Sequence, residues 1–346
     1  MTQKRWTIGI THLITPPFDP EQAAFSNHAD IIYFDTRDET TFDHSQLNQL
    51  DAMLVWTPAI TEATIRHLDR CRILVRYGVG YDKIDLDALT QRSIAFSNNP
   101  EYGPEDVADT AMAMLLTLQR RILEHDIRAR EYTDSWQENH LAPVRHSKNC
   151  RVGIVGLGRI GTSLSLRLKP FGYQIVAYDP YLSNGVFRAL DVERADSLAQ
   201  LIAQADIVSL HCPLTEETRG MIDGALLEGT KPGLIFVNTA RGGLIDSLDV
   251  IQSGLRSGQL AAAGLDVLPE EPPADHSLIT AWRENAEWLQ GRLLITPHNA
   301  FYSDHSMAEC RYNAAQTARL FLDENIHRNA VKLAEQSSSR KYPDPV

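Results

Sequence analysis

The chain has 346 residues, 43% of them apolar and 23% charged, the balance of a soluble globular protein long enough for two domains with separate cores. A formal net charge of −12, with no run of Lys or Arg, argues against a general binder of nucleic-acid phosphates. No apolar stretch approaches the roughly 20 residues a membrane helix needs, and Met1 to Thr7 lack the apolar core of a secretion signal, so a cytoplasmic protein is predicted.

In the first hundred residues, short apolar runs alternate with helical stretches. Strands are predicted at Trp6–Ile10, Ile31–Phe34, Met53–Trp56, Ile73–Arg76 and Ile94–Ser97, with helical apolar spacing between them, as from Glu62 to Leu68. That alternation predicts a parallel sheet flanked by helices. The fourth strand runs into Arg76-Tyr77-Gly78-Val79-Gly80, where two glycines leave backbone donors exposed. Gly103-Pro104 then opens what reads as one long helix to about Arg130, placed to connect two domains. Cys71, Cys150, Cys212 and Cys310 show no C-x-x-C spacing, so reduced thiols are predicted, with neither a metal site nor a disulfide framework.

The alternation restarts at Arg151, with strands predicted near 151–155, 174–178, 207–210, 234–238, 262–267 and 293–296. Val155-Gly156-Leu157-Gly158-Arg159-Ile160-Gly161 follows the first of these and opens a helix, and the next strand ends in Asp179, 18 residues past Gly161. A glycine turn alone is a weak signal, since such turns also serve packing. Set between strand and helix, with an acid after the second strand, it predicts a dinucleotide site. The glycines let the backbone approach a pyrophosphate, and the helix N-terminus offers it unpaired N–H groups. Asp179 suits the adenosine ribose hydroxyls and would repel a 2′-phosphate, which predicts NAD over NADP.

Three later strand ends deliver polar residues to the rim where such sheets bind ligands. Arg241 follows the strand ending at Asn238, Glu271 lies in the loop after Asp266, and His298 follows Thr296-Pro297. Taken singly, each reads best as a surface cation, a solvated loop charge and a structural histidine. Together beside a dinucleotide they suit hydride transfer to a 2-keto acid. Arg241 can pair with the carboxylate and polarise the keto oxygen, His298 can exchange the proton, and Glu271 can orient the ring and favour its charged form. A final amphipathic helix is predicted from Ser306 to Asp323, and a frayed tail from Gln336.

These motifs, with the Tyr178 to Val186 stretch, Asn238 to Gly243 and Thr296-Pro297-His298, resemble the D-isomer-specific 2-hydroxyacid dehydrogenase family from about Ile73 to Arg319. Tyr178 to Val186 and Tyr302-Ser303 look most like its C-terminal binding protein branch. The resemblance implies an α/β fold of two doubly wound parallel-sheet domains. One is a Rossmann nucleotide-binding domain over 101–308; the other is a discontinuous, flavodoxin-like substrate domain over 1–100 and 309–346. It implies a homodimer built through the nucleotide domain, an active site in the interdomain cleft, and catalytic positions at Arg241, Glu271 (the glutamate directly before the proline, preferred over Glu270) and His298. It gives the substrate carboxylate to Arg76, Gly78, Val79 and Gly80. It lines the cofactor with Val155, Gly156, Gly158, Arg159, Ile160, Gly161, Asp179, Cys212 to Thr218, Thr239 and Ala240, and assigns the nicotinamide carboxamide to Asp266.

Three departures are visible. Phe301 stands where the C-terminal binding proteins carry a pocket tryptophan, Asn299 replaces a small or apolar residue, and the Pro272–His298 stretch is longer than its relatives', enough for an extra helix. Phe301, Tyr77 and Trp56 hint at an aromatic substrate pocket. Trp282 and Trp288 read as packing residues, and His211 as structural or cofactor-adjacent. The expected activity is an NAD-dependent interconversion of a 2-keto acid and a D-2-hydroxy acid without a metal. One rival is an NAD(H)-responsive scaffold of corepressor type. Another is a formate dehydrogenase, against which Glu271 argues because that enzyme has Gln there.

Overall fold

The computed structural model describes residues 5–132, 136 and 144–331, so the tail expected to fray from Gln336 lies outside the described residues. The chain forms two compact units, one of residues 1–102 with 303–346 and one of residues 103–302.

The first unit is built on a five-stranded parallel sheet: β1 (Trp6–Thr11), β2 (Ala29–Phe34), β3 (Ala52–Val55), β4 (Ile73–Arg76) and β5 (Ala95–Ser97). Their order, β2-β1-β3-β4-β5, is the flavodoxin-like winding, which reverses between β1 and β3. Every residue of β3 is buried, as a central parallel strand covered on both faces requires. Leu50, Met53, Val55, Leu74 and Phe96 form part of the core on one face. The chain re-enters this unit at Ser303, whose hydroxyl caps the helix Asp304–Glu324 in a reciprocal box with Ser306. That helix packs on β4 and on the helix Asp19–Ala24. Between them lies a buried ionic cluster. Glu21, 1% exposed, accepts from Tyr77 Oη at 3.0 Å and from Arg311 Nε at 2.8 Å. Tyr77 is therefore a core residue, not a wall of an aromatic pocket.

The second unit holds a seven-stranded parallel sheet: β6 (Arg151–Val155), β7 (Gln174–Tyr178), β8 (Glu193–Arg194), β9 (Ile207–Leu210), β10 (Leu234–Asn238), β11 (Leu260–Leu265) and β12 (Leu293–Ile295). The order β12-β11-β10-β9-β6-β7-β8 is the dinucleotide-binding winding with one strand added at an edge, and it reverses between β6 and β9. β8 escapes sequence reading because it is two polar residues long. β11 begins and ends two residues before its expected position, leaving Asp266 and Val267 to the loop beyond it.

The single long helix expected from Glu105 to about Arg130 is two helices, Pro104–Gln119 and Ile122–Arg130. The break is at Arg121, whose φ of 53° is left-handed. The turn lays the second helix against Gly291, where an added Cβ would stand 2.6 Å from the backbone nitrogen of Glu124. Helical spacing could not register that approach, because it is made by a residue 167 positions away (291 − 124). The first of the two helices packs on the helix Arg159–Leu168 and on β10 and β11, as a layer of the second unit. The long 272–298 stretch supplies the helix Ser277–Arg283. Trp288 packs against the core with Arg256 over its ring at 3.9 Å, whereas Trp282 is 37% exposed. No helix among the described residues is long and apolar enough to cross a membrane.

Candidate active site

The glycine turn sits where the second sheet reverses direction, and each glycine has its own physical reason. Gly156 has a φ of +89°, and a Cβ there would stand 2.8 Å from the backbone of His211 and Cys212, at the end of β9. A Cβ on Gly161 would lie 2.1 Å from the carbonyl oxygen of Gly156. Gly158, the N-cap of the helix Arg159–Leu168, faces open space: beyond its chain neighbours, no atom of the described residues lies within 4 Å of its Cβ position. The first turn of that helix carries no acidic residue, so its unpaired N–H groups face that space unopposed. Beneath it lies the buried side chain of Val155, while Arg159 is exposed and Ile160 half-buried.

Asp179, just past β7, braces the turn. Its Oδ2 accepts from the N–H of Leu157 and its Oδ1 from that of Tyr181, both at 3.0 Å. Past β10, Thr239 has a buried hydroxyl without a partner, and so does Nδ1 of His211 past β9. An open cradle over a helix N-terminus, a carboxylate at the end of β7 and partnerless polar atoms beside them fit a dinucleotide. Thr218 is engaged in shaping the adjoining loop: its hydroxyl donates to Pro213 O at 2.7 Å and accepts from Thr215 N at 2.8 Å. Burial holds His211 neutral, its pKa lowered to about 3, and raises the Cys212 thiol to about 12. His211 Nε2 lies 2.8 Å from Ser209 Oγ. Neither residue suits proton exchange near neutrality.

The three candidate catalytic side chains come from the ends of β10, β11 and β12. Asn238 closes the turn that presents Arg241: its Oδ1 accepts from Ala240 N at 3.0 Å and its Nδ2 donates to Arg241 O at 2.9 Å. Arg241 in turn donates to Ala240 O at 2.7 Å. Gly242 is required by contact, because a Cβ there would stand 1.9 Å from the carbonyl carbon of Leu268. This presses the Arg241 turn onto the loop that holds Glu271. Glu271 Oε1 accepts from Leu268 N at 3.0 Å, and Oε2 meets His298 Nδ1 at 2.7 Å. The side chains of His298 and Glu271 are 40% and 34% exposed, so the pair is open to a ligand. Among the described residues no such bond ties Glu270.

His298 has a φ of 52°, a left-handed conformation unusual for a residue with a Cβ. Asp266, 2% exposed, holds that backbone in place. Its carbonyl accepts from His298 N at 2.8 Å, and its carboxylate takes Thr296 Oγ1 at 2.6 Å, Asn299 N at 3.0 Å and Ala300 N at 3.1 Å. Asp266 is thus the anchor of the histidine turn, a task that sequence reading did not give it. The clamp of Asn238 was missed as well. The available signal was the same for both, a polar residue at the end of an otherwise apolar strand. Phe301 follows this turn and is half-buried.

In the first unit, Arg76 ends β4, donates to Val55 O at 3.1 Å and lies over the Trp56 ring at 5.9 Å. The following turn is held by its carbonyls: Asn99 N donates to Gly78 O and Asn98 Nδ2 to Val79 O. Among the described residues no protein acceptor takes the N–H of Gly78, Val79 or Gly80.

With this geometry in place, comparison with known proteins is decisive for the family. Residues 112–300, more than half of the chain, match the model of the D-isomer specific 2-hydroxyacid dehydrogenase, NAD binding domain. The chain belongs to the D-isomer-specific 2-hydroxyacid dehydrogenase family. Its second unit contains the family's NAD-binding domain, and NAD is its cofactor. D-3-phosphoglycerate dehydrogenase of Mycobacterium leprae is 33% identical over 312 residues, covering 90% of this chain and 56% of that protein. The Mycobacterium bovis protein of the same name is 35% identical over 286 residues, 82% of this chain and 52% of its own. The chain therefore spans about half the length of the curated relatives it matches. Among solved structures, D-lactate dehydrogenase from Aquifex aeolicus, complexed with NAD and lactic acid, has a TM-score of 0.83 at 26% identity, covering 94% of this chain and 98% of that one. D-2-hydroxyisocaproate dehydrogenase has a TM-score of 0.77 at 25% identity, covering 94% and 99%. These relatives carry the family as a whole and do not single out the C-terminal binding protein branch.

Proposed function

We propose that this 2-hydroxyacid dehydrogenase family member is an oxidoreductase that interconverts a 2-keto acid and a D-2-hydroxy acid. The observation that carries the reading is the 2.7 Å contact between His298 Nδ1 and Glu271. With Nδ1 held by a carboxylate, Nε2 is the ring nitrogen left to exchange a proton with substrate. Bound NADH supplies the hydride that reduces the keto carbon. In that direction His298 protonates the keto oxygen, and in reverse it removes the hydroxyl proton. Arg241 pairs with the carboxylate and polarises the keto oxygen. Arg76 and the open N–H groups of Gly78, Val79 and Gly80 are donors of the kind a substrate carboxylate takes, and Phe301 is a contact for the substrate.

The nicotinamide carboxamide belongs to the Asp266 region, and the loop from Cys212 to Thr218 with Thr239 and Ala240 lines the cofactor. On this reading the unit of residues 1–102 and 303–346 is the substrate domain. A homodimer through the NAD-binding unit is supported by exposed apolar side chains there, Ile122 at 51%, Tyr132 at 59% and Trp136 at 66%. Four free cysteines, three of them buried, support a reducing compartment, here taken as the cytoplasm.

NADH oxidation against a panel of 2-keto acids tests the reading, with glyoxylate, pyruvate, hydroxypyruvate, branched, thioether and aryl members, and with D-lactate and D-3-phosphoglycerate run in reverse. Turnover of at least one is expected. If none reacts while NADH binds, the reading falls and the NAD(H)-responsive scaffold takes its place.

Cofactor choice gives a second expectation. Asp179 both repels a 2′-phosphate and braces Leu157, so Asp179→Ala should weaken NADH while relieving the penalty on NADPH. The ratio of the two affinities should narrow by about 10-fold, the worth of one charged contact. Asp179→Asn, which keeps an acceptor for Leu157, separates the brace from the charge. An unaltered ratio in both variants would place the selectivity elsewhere.

A further inference from the structure

In the second unit, a bond that the chemistry does not use crosses the cofactor end of the sheet. Tyr181 Oη donates to Glu217 Oε2. Tyr181 follows β7, which ends at Tyr178, and Glu217 lies in the loop that follows β9, which ends at Leu210. In the order β9-β6-β7 these strands are the two neighbours of β6, whose own carboxyl end carries the glycine turn. Neighbouring strands lie about 4.8 Å apart, so the loops leaving β7 and β9 start about 10 Å apart. The Tyr181–Glu217 bond closes that gap beside the turn. The sheet reverses between β6 and β9, the place where doubly wound sheets take their ligand.

Both ends of this bond stand on firm bases. Asp179 takes Tyr181 N on Oδ1 and Leu157 N on Oδ2, each at 3.0 Å, which ties the base of Tyr181 to the turn itself. Glu217 sits within a closed loop, where Thr218 Oγ1 donates to Pro213 O at 2.7 Å and Arg219 N to Thr215 O at 2.9 Å. The link between the bases is of the opposite kind. Tyr181 is 63% exposed, and Glu217 is exposed as well. A hydrogen bond open to water adds little to folding stability, so it breaks and re-forms without disturbing its anchors. The bond to the carboxylate raises the Tyr181 pKa, so the phenol keeps its proton and stays a donor at neutral pH.

We propose that Tyr181 and Glu217 form a strap across the adenosine side of the NAD crevice, which opens to admit the cofactor and closes again over it. Asp179, the expected partner of the adenosine ribose, is bonded to the backbone of Tyr181, so an adenosine on that carboxylate lies beside the strap. Entry and release both pass through the open form. The bond therefore slows both by a similar factor and leaves the affinity nearly unchanged. The strap acts on the cofactor alone and is independent of which acid is turned over.

Stopped-flow NADH fluorescence on the full chain gives both rates without any turnover. Tyr181→Phe and Glu217→Ala should each raise the association and the dissociation rate by about 10-fold, the worth of one hydrogen bond to a charged group. The Kd should move by less than either rate. Removing both side-chain groups together should do no more than removing one, because they make a single bond. Glu217→Gln keeps an acceptor for the phenol, so its rates should stay closer to those of the parent than the rates of Glu217→Ala. ADP-ribose, which lacks the nicotinamide, should leave the two single variants faster by the same factor when displaced with NADH. Unchanged rates in Tyr181→Phe and Glu217→Ala overturn the strap. Faster dissociation with unaltered association also overturns it, since the pair would then be a plain contact of the cofactor. An acceleration absent from ADP-ribose overturns its place beside the adenosine.

Discussion

Replacing His298 with Ala is expected to lower turnover by about 100-fold or more, the usual worth of a positioned general acid. NADH should still bind, because the glycine turn and Asp179 do not depend on the ring. The expectation comes from the division of labour in the histidine turn. Asp266 holds the backbone of residues 296–300 through bonds that do not involve the imidazole. The substitution therefore removes the proton donor without removing its scaffold, although Ala must still adopt a left-handed φ at some local cost. Single-turnover reduction measured beside NADH fluorescence titration separates the two effects. Near-normal turnover would remove His298 from the chemistry. Glu271→Gln is the graded companion. A neutral amide holds the ring at Nδ1 without the charge of the carboxylate, so kcat should fall by about 10-fold, the worth of one charge-assisted hydrogen bond, while NADH binding is unchanged. An unaltered kcat would mean that the 2.7 Å contact has no part in proton exchange.

The second large effect is expected at Arg241. Arg241→Lys keeps the charge but loses the planar fork that can meet a carboxylate with two parallel N–H groups. A loss of roughly 10- to 100-fold in kcat/KM follows from one or two charge-assisted hydrogen bonds. The loss should be shared between KM, through weaker carboxylate binding, and kcat, through weaker polarisation of the keto oxygen. The turn itself should survive. Asn238 clamps it through backbone groups, and Gly242 still packs on Leu268. Steady-state kinetics with the best substrate of the panel gives the split. An unchanged kcat/KM would show that Arg241 serves only its own loop.

Much of the site was legible because its signals are local. A glycine turn, the acid at the end of the next strand and polar residues at strand ends are each set by a few neighbouring positions. Strand cores are legible for the same reason: the apolar runs of β3, β4 and β9 need no distant information to be read as buried strands. What failed to show depends on remote contacts. The break at Arg121 answers to Gly291, and the need for Gly at 242 answers to Leu268. Asp266 looks like any acid after an apolar strand until the chain returns with Thr296 and Ala300 to take up its carboxylate. Tyr77 looked like a pocket wall because the partner that buries it, Glu21, lies 56 residues earlier.

By itself the sequence determined the fold class, the dinucleotide site and the candidate trio of Arg241, Glu271 and His298. Periodicity, turn chemistry and strand-end polarity are properties of short segments, and they act before any tertiary contact exists. Only the tertiary structure decided what holds His298 in a left-handed turn, what buries Tyr77, and which buried polar atoms lack partners. These are matters of hydrogen-bond satisfaction among residues far apart in the chain. A carboxylate or hydroxyl that is paired and one that is not carry the same letter, and folding alone distinguishes them.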